Sequence, residues 1–221
     1  MGQLRMTCWG TYQPNRQVGG KPILLRKQMI HYLEGDATEP VGDGNKIIAH
    51  VCNDAGGWGA GFVTAISKKW DEPERAYRSW YRGQYKAQID LFALGNIQLI
   101  NVVQSGFAER EWLGDPIERT SGIWVANMIG QVGYGSSNRL QHRESDQDQY
   151  QPPIRYEAVE SCLNKLNVYL IKLDATMHAP RFGCGLAGGS WEEIEKLIQK
   201  CITKDVFIYD YNKDDSIPWR K

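Results

Sequence analysis

Two glycine-rich segments constrain the fold of this chain more than any other feature, because each stands between an apolar segment and a helix-like one. The first, at 54–62, reads DAGGWGAGF and follows an almost continuous apolar run at 46–52. The second, at 183–189, reads GCGLAGG and follows the predicted strand 175–182. Backbone N–H groups of such loops can approach a phosphate, and the N-terminus of the following helix adds partial positive charge. We therefore predict that these loops bind a diphosphate.

Predicted strands and helices alternate along the chain. Strands are predicted at 28–33, 46–52, 91–103 (in two segments), 123–131, 175–182 and 205–211. Helical stripes follow the first loop, with a second helix after Pro73, and another helix is predicted to start at Pro152 and Pro153. Ser190 and Glu193 form a capping box for the last helix. The alternation predicts a three-layer α/β fold whose two loops meet at the carboxyl edge of the sheet.

The composition argues against several classes of protein. The chain has 26 basic and 26 acidic residues, so it lacks the basic excess typical of a nucleic-acid-binding protein. There is no apolar run of the ~20 residues that span a membrane, and the N-terminus lacks the apolar core of a signal peptide. The five cysteines are scattered without a C-x-x-C pair, which is typical of reduced thiols. We therefore expect a cytoplasmic protein that binds neither nucleic acid nor membranes and holds no metal and no cofactor.

The length of 221 residues fits one domain. We expect an N-terminal extension, 1–27, packed on a single domain at 28–221, and we expect a monomer. The polar segment 133–153 has about the length at which a structureless loop is either a functional lid or disordered. Both alternatives stay open.

The first glycine loop departs from the two best-known phosphate-binding loops. Gly56 and Gly61 have the spacing of a Walker A motif, but Phe62 stands where that motif has its lysine. Gly57 and Gly59 match the first two glycines of the dinucleotide fingerprint, but Phe62 also occupies the position of its third glycine. Hydrolysis of a nucleoside triphosphate and hydride transfer both lose support.

Several segments together resemble the macrodomain, an α/β fold that binds ADP-ribose. They read EGDAT at 34–38, IIAHVCN at 47–53, GWGAG at 57–61, APRFGCGLAG at 179–188 and IYD at 208–210. The resemblance extends over most of the chain. It is closest to the branch that contains yeast-type ADP-ribose-1''-phosphate phosphatases and terminal ADP-ribose glycohydrolases. It implies a central mixed sheet flanked by helices in an α/β/α arrangement.

The resemblance also implies a role for each matching residue. Asp36 would accept a hydrogen bond from the adenine amine, with the N–H of Ala37 beside it, and Asn53 would bond the distal ribose. The first loop would wrap the distal ribose and the diphosphate, and the second would cradle the diphosphate from the opposite side. The implied ligand-binding residues are Gly35, Asp36, Ala37, Asn53, Gly57, Trp58, Gly59, Ala60, Gly61, Phe62, Gly183, Cys184, Gly185, Leu186, Ala187 and Gly188. Asp36 and Asn53 are also common turn residues, and that alternative stays open.

Catalysis is less well specified than binding. Glycohydrolases of the branch use a lysine nucleophile with an aspartate in the second loop, but here Ala187 stands at the aspartate's position and 125–131 contains no lysine. Hydrolysis by a positioned water remains, with Asp54 as the nearest carboxylate and His50 and His142 as weaker candidates. His50 lies in an apolar strand, which is more typical of a core histidine than of a general base.

The sequence thus predicts a protein that binds ADP-ribose and hydrolyses ADP-ribose-1''-phosphate. One alternative is a hydrolase that removes mono-ADP-ribose from proteins. The other is a reader that binds ADP-ribose or a related derivative without catalysis.

Overall fold

A computed structural model describes residues 28–84, 91–104, 106–107, 119–134 and 152–211. The elements in these ranges are β1 (Ile30–Glu34), β2 (Asn45–Asn53), α1 (Val63–Lys69), α2 (Glu72–Tyr81), β3 (Ile97–Val103), β4 (Gly106–Phe107), β5 (Arg119–Thr120), β6 (Ile123–Gln131), α3 (Tyr156–Lys172), β7 (Ala175–Pro180), α4 (Trp191–Cys201) and β8 (Val206–Asp210).

Six of the strands form one mixed sheet in the order β1-β8-β7-β2-β6-β3. The first five of these strands are parallel, and β3 pairs antiparallel with β6 at the edge. The short strands β4 and β5 form a separate antiparallel pair. The predicted α/β fold with a mixed central sheet is confirmed. Because parallel strands end at the same edge, the segments that follow β1, β2, β6, β7 and β8 emerge together.

Helices cover both faces of the sheet, and the alternation of side chains along β2 shows this directly. Ile47 faces a core that contains Leu166 of α3 and Ile198 of α4. Its neighbour Ile48 faces a second core that contains Tyr77 of α2. All five side chains are fully buried, and burial of each contributes roughly 1.5–3 kcal/mol. The predicted three-layer arrangement follows from these two cores.

Helix α3 begins later than predicted. It starts at Tyr156 rather than at Pro152 and Pro153. The reason is that Ile154 is used elsewhere: it forms an isolated bridge with Gln131, and its N–H donates to the carbonyl of Ala187 at 3.2 Å. This extended segment therefore connects the end of β6 to the second glycine loop.

Two smaller predictions are also corrected. Of the predicted strand segments at 91–103, only Ile97–Val103 is a strand, because Asn96 donates its N–H to the carbonyl of Ala93 and closes a turn. Ser190 is the N-cap residue of α4, but its side chain makes no capping hydrogen bond. Its N–H instead donates to the hydroxyl of Tyr156 at 2.9 Å.

Some predictions fall on parts of the chain outside the described residues. These are the extension at 1–27 and the central part of the polar segment, 135–151. Among the helices that the structure describes, none has both the length and the apolar composition to cross a bilayer. Within the same ranges, no group of three or more His, Cys, Asp or Glu side chains is arranged to hold a metal ion.

Candidate functional site

The candidate site lies at the carboxyl edge of the five parallel strands. Gly35 to Ala37 follow β1, the first glycine loop follows β2, and the second follows β7. Asn53 is the last residue of β2. The topology therefore brings nearly all the sequence-predicted site residues to one edge, and His50, inside β2, is the exception.

Asn53 holds the first glycine loop in shape. Its Nδ2 donates to the carbonyl of Gly57 at 2.7 Å, and its Oδ1 accepts from the N–H groups of Ala55 and Gly57 at 3.0 and 2.9 Å. The buried hydroxyl of Tyr77 donates to the carbonyl of Asn53 at 2.6 Å. Asn53 is 7% exposed. Asn53 therefore acts as a turn residue in this structure. The contact between Asn53 and the distal ribose stays a prediction.

Two tyrosine rings lie directly on the backbone of the first loop. A Cβ at Gly56, where φ is +71°, would lie 2.4 Å from the ring of Tyr81, and a Cβ at Gly57 would lie 2.4 Å from the ring of Tyr134. Both tyrosines are about half exposed. Tyr81 is the last residue of α2, and the sequence pattern connects neither ring with the loop. The only available signal was the position of Tyr134 just after β6.

The outer part of the first loop presents unoccupied amides. In the described part of the chain, none of the backbone N–H groups at 58–62 donates a hydrogen bond. Gly59 and Ala60 are exposed, and a Cβ at Gly59 would meet nothing within 4 Å. Helix α1, which follows, has only seven residues. The free loop amides are therefore a stronger argument for an anion site than the helix dipole.

The second glycine loop, as described, also presents backbone amides that donate no hydrogen bond. It is closed internally by the N–H of Gly188 on the carbonyl of Gly185 at 3.0 Å and the N–H of Gly189 on that of Gly183 at 2.8 Å. Within the described residues, the N–H groups at 184–187 donate no hydrogen bond. Ile154 packs beneath, since a Cβ at Gly183 would lie 3.1 Å from its Cδ1.

The two loops face each other across a short distance. Leu186 is 75% exposed, and its Cδ1 would lie 3.8 Å from a Cβ at Gly61. Gly185, like Gly59, has open space where a side chain would be. Two sets of free amides therefore border the same region from two sides, which is the arrangement that an extended polyanion such as a diphosphate needs.

Cys184 has no feature of a nucleophile. Its thiol is half-buried and donates to the carbonyl of Phe182 at 3.4 Å. Burial raises the pKa of the thiol above its ordinary value. The side chain is therefore neutral at pH 7, and only its backbone is available to an anion.

Asp36 forms a turn and keeps one oxygen free. Its Oδ1 accepts from the N–H of Thr38 at 2.8 Å, and no described residue donates to Oδ2. Ala37 is 2% exposed, and the N–H of Gly35 donates to the carbonyl of Asp210 at 3.0 Å. A carboxylate with a free oxygen at the end of a strand can accept one further hydrogen bond.

An ion pair joins this end of the sheet to the second loop. Arg181, just before the loop, donates from Nε and Nη2 to the carboxylate of Asp210 at 2.5 and 2.7 Å. Its guanidinium also lies 5.0 Å from the ring centroids of Tyr32 and Trp191. The pKa of Asp210 is lowered by the hydrogen bonds from Arg181. The ion pair links the ends of β7 and β8. The carbonyl of Asp210 in turn accepts the hydrogen bond from the N–H of Gly35.

The two candidate catalytic residues occupy different environments. Asp54 lies in the loop, and its Oδ1 accepts from the N–H of Gly133 at 2.7 Å. His50 is 2% exposed and its Nε2 lies 2.7 Å from Oδ1 of Asn127, which can only accept, so Nε2 carries the proton. Burial lowers the pKa of His50 to about 4. This location favours a core role for His50, while Asp54 lies beside the candidate site. His142 lies outside the described residues.

Comparisons with known proteins agree with this geometry, although no family model matches the chain. A solved macrodomain protein from Streptomyces coelicolor is 38% identical, with a TM-score of 0.60 over 83% of this chain and 100% of that one. A solved protein of unknown function from Bacteroides thetaiotaomicron is 40% identical, with a TM-score of 0.63 over 83% of this chain and 98% of that one.

The curated relatives are more distant. An ADP-ribose 1''-phosphate phosphatase from Candida albicans is 24% identical over 176 residues, which are 78% of this chain and 93% of that protein. Chromodomain-helicase-DNA-binding protein 1-like from Danio rerio is 30% identical over 194 residues, or 85% of this chain. The chain spans only 16% of that protein's length and 18% of the length of the similar Mus musculus protein, which is 26% identical.

Proposed function

The chain belongs to the macrodomain family, and on that premise we propose that it binds ADP-ribose and hydrolyses ADP-ribose-1''-phosphate. The observation that carries the binding proposal is the close approach of the two glycine loops, where a Cβ at Gly61 would lie 3.8 Å from Cδ1 of Leu186. Free backbone amides of the described residues on both sides of that approach match the two phosphates of ADP-ribose. An extension at 1–27 packed on a single domain remains part of the proposal.

The strand order supports one direction for the ligand. The adenine would lie at the β1 end, where Oδ2 of Asp36 is free to accept from its amine. The diphosphate would lie between the loops after β7 and β2, and the distal ribose would extend towards β6. Asp54 and the half-exposed ring of Tyr134 stand at that far end.

The hydrolysis proposal assigns Asp54 the task of orienting water. One of its oxygens is fixed by Gly133, which leaves the other for a water molecule. Water would add to phosphorus, the bond from phosphorus to O1'' would break, and O1'' would take up a proton. The products are ADP-ribose and inorganic phosphate. The similarity to the Candida albicans phosphatase supports this choice of substrate.

A reader without catalysis is the second candidate. It is favoured by the burial of His50 and by the hydrogen bond that already engages Asp54. Removal of mono-ADP-ribose from a protein carboxylate is a further outcome that the same assay distinguishes.

Calorimetry with ADP-ribose and phosphate release from ADP-ribose-1''-phosphate test the proposal together. The expected result is binding of ADP-ribose, with phosphate release that falls roughly 100-fold or more in Asp54→Asn. This variant retains an oxygen for the N–H of Gly133. Tight binding without phosphate release would favour the reader, and release of ADP-ribose from a modified carboxylate would favour the other hydrolase. Absence of binding would overturn the whole proposal.

A further inference from the structure

Helix α2 holds the first glycine loop by its carbonyl oxygens. Arg78 donates from Nη2 to the carbonyl of Trp58 at 2.9 Å and from Nη1 to the carbonyl of Gly56 at 3.4 Å. Two carbonyls of the loop therefore point towards one guanidinium on α2.

This contact decides the direction of the amide that follows. In a trans peptide the C=O and the next N–H point in opposite directions, and the described chain has no cis peptide. The carbonyl of Trp58 points at Arg78, so the N–H of Gly59 points away from α2. That N–H has no partner among the described residues, and the space beside Gly59 is open.

Arg78 is itself held in place by a cyclic network of hydrogen bonds. Its Nε donates to Oε1 of Glu74 at 2.9 Å, and Oε2 of Glu74 accepts from the hydroxyl of Ser67 at 2.9 Å. Oγ of Ser67 accepts from the indole Nε1 of Trp58 at 2.8 Å. The network thus contains both the carbonyl and the indole side chain of Trp58. Both the backbone and the ring of Trp58 are held against α1 and α2.

We propose that Arg78 is a positioning residue for anion binding, which acts by turning the N–H of Gly59 towards the ligand. The inference rests on the proposed binding of ADP-ribose and deepens it. Arg78 does not contact the ligand, because the peptide of Trp58 and Gly59 stands between them. Its effect is therefore confined to the diphosphate, and the adenine contact at Asp36 is independent of it.

The test compares Arg78→Met with Arg75→Met. Arg75 is on the same helix and carries the same charge, but it pairs with Asp71 at 3.4 Å, and among the described residues its side chain donates to no carbonyl of the first loop. We expect Arg78→Met to weaken ADP-ribose binding roughly 10- to 100-fold in calorimetry, the effect of losing hydrogen bonds to a charged group. Adenosine should bind both variants as it binds the wild type. Arg78→Lys, which can still donate to one carbonyl, should recover part of the affinity.

A measurement without ligand separates this inference from the proposed function. In amide NMR spectra of the free protein, the Gly59 signal should shift or broaden in Arg78→Met, while the Gly185 signal stays in place. An unchanged Gly59 signal would overturn the inference whether or not ADP-ribose binds. Equal losses for ADP-ribose and adenosine would also overturn it, because they would indicate general damage to the fold. Failure of the wild type to bind ADP-ribose would instead contradict the proposed function.

Discussion

Asn53 and Gly57 are joined by two hydrogen bonds, one from the Asn53 amide to the Gly57 carbonyl and one from the Gly57 N–H to Oδ1 of Asn53. This pairing closes the inner half of the first glycine loop. The outer half, 58–62, is left with its amides free in the described structure. Loop shape and ligand binding are therefore separate properties, carried by different halves of one segment.

Asn53→Ala should lower the free energy of unfolding by roughly 1–3 kcal/mol, because it leaves the N–H and C=O of Gly57 without their partner. Urea denaturation measures this change. Asn53→Asp is the matched variant, since it keeps the acceptor for Ala55 and Gly57 but cannot donate to the Gly57 carbonyl. It should also be less stable than the wild type, because the carboxylate oxygen in place of Nδ2 would face the carbonyl oxygen of Gly57. Equal stability of the alanine variant and the wild type would contradict the assigned role.

Gly59→Ala and Gly185→Ala should weaken ADP-ribose binding roughly ten-fold or more, with a change in unfolding free energy within about 0.5 kcal/mol. Neither glycine has a positive φ, and a Cβ at either position meets no protein atom within 4 Å. The methyl group would therefore lie where the ligand is proposed to lie. Gly56→Ala is the contrast, since Gly56 has a φ of +71° and its Cβ would lie 2.4 Å from the ring of Tyr81, so this variant should be less stable. Unchanged affinity in Gly59→Ala and Gly185→Ala would show that the loops do not approach the diphosphate.

Asp36→Asn should weaken ADP-ribose binding about ten-fold while the protein stays as stable as the wild type. The asparagine oxygen can still accept from the N–H of Thr38, but its NH₂ group cannot accept from the adenine amine. Calorimetry with ADP-ribose and with its hypoxanthine analogue, which has no amine, measures the effect. The wild type should prefer adenine, and the variant should lose that preference. A variant that keeps it would place the adenine elsewhere.

Stability should fall between pH 7 and pH 5 through two buried histidines. Burial lowers the pKa of His50 to about 4 and that of His178 to about 3. Because the unfolded value is about 6.5, the unfolded chain binds more protons as the pH falls below that value, and each histidine removes about 2 kcal/mol of stability by pH 5. Urea denaturation at both pH values should show that the loss of unfolding free energy between pH 7 and pH 5 is about 2 kcal/mol smaller in His50→Gln than in the wild type. An unchanged difference would contradict a neutral, buried His50.

The parts of the site that sequence could predict are those in which the backbone requires glycine. Gly56, Gly61 and Gly183 have positive φ. Both loops lie between a strand and a helix, where the glycine pattern places them. The residues that support them were missed, because Tyr77 and Arg78 look like ordinary members of an amphipathic helix. Their supporting role depends on where α2 packs against the loop. A local sequence pattern does not predict this packing.

The start of α3 was missed for a related reason. Pro152 and Pro153 are good first-turn residues, but the pairing of Ile154 with Gln131 and with Ala187 overrides that preference. Tertiary hydrogen bonds of Ile154 therefore determine that α3 begins at Tyr156. They also placed this segment beneath the second loop, which the sequence pattern does not indicate.

The most direct test is a titration of ¹⁵N-labelled protein with ADP-ribose, followed by amide chemical shifts. Amides of both loops, 58–62 and 184–187, should shift together along one binding curve. Amides of the buried strand around Ile47 should stay in place. Shifts confined to one loop, or absent from both, would contradict the claim that the two loops hold one diphosphate between them.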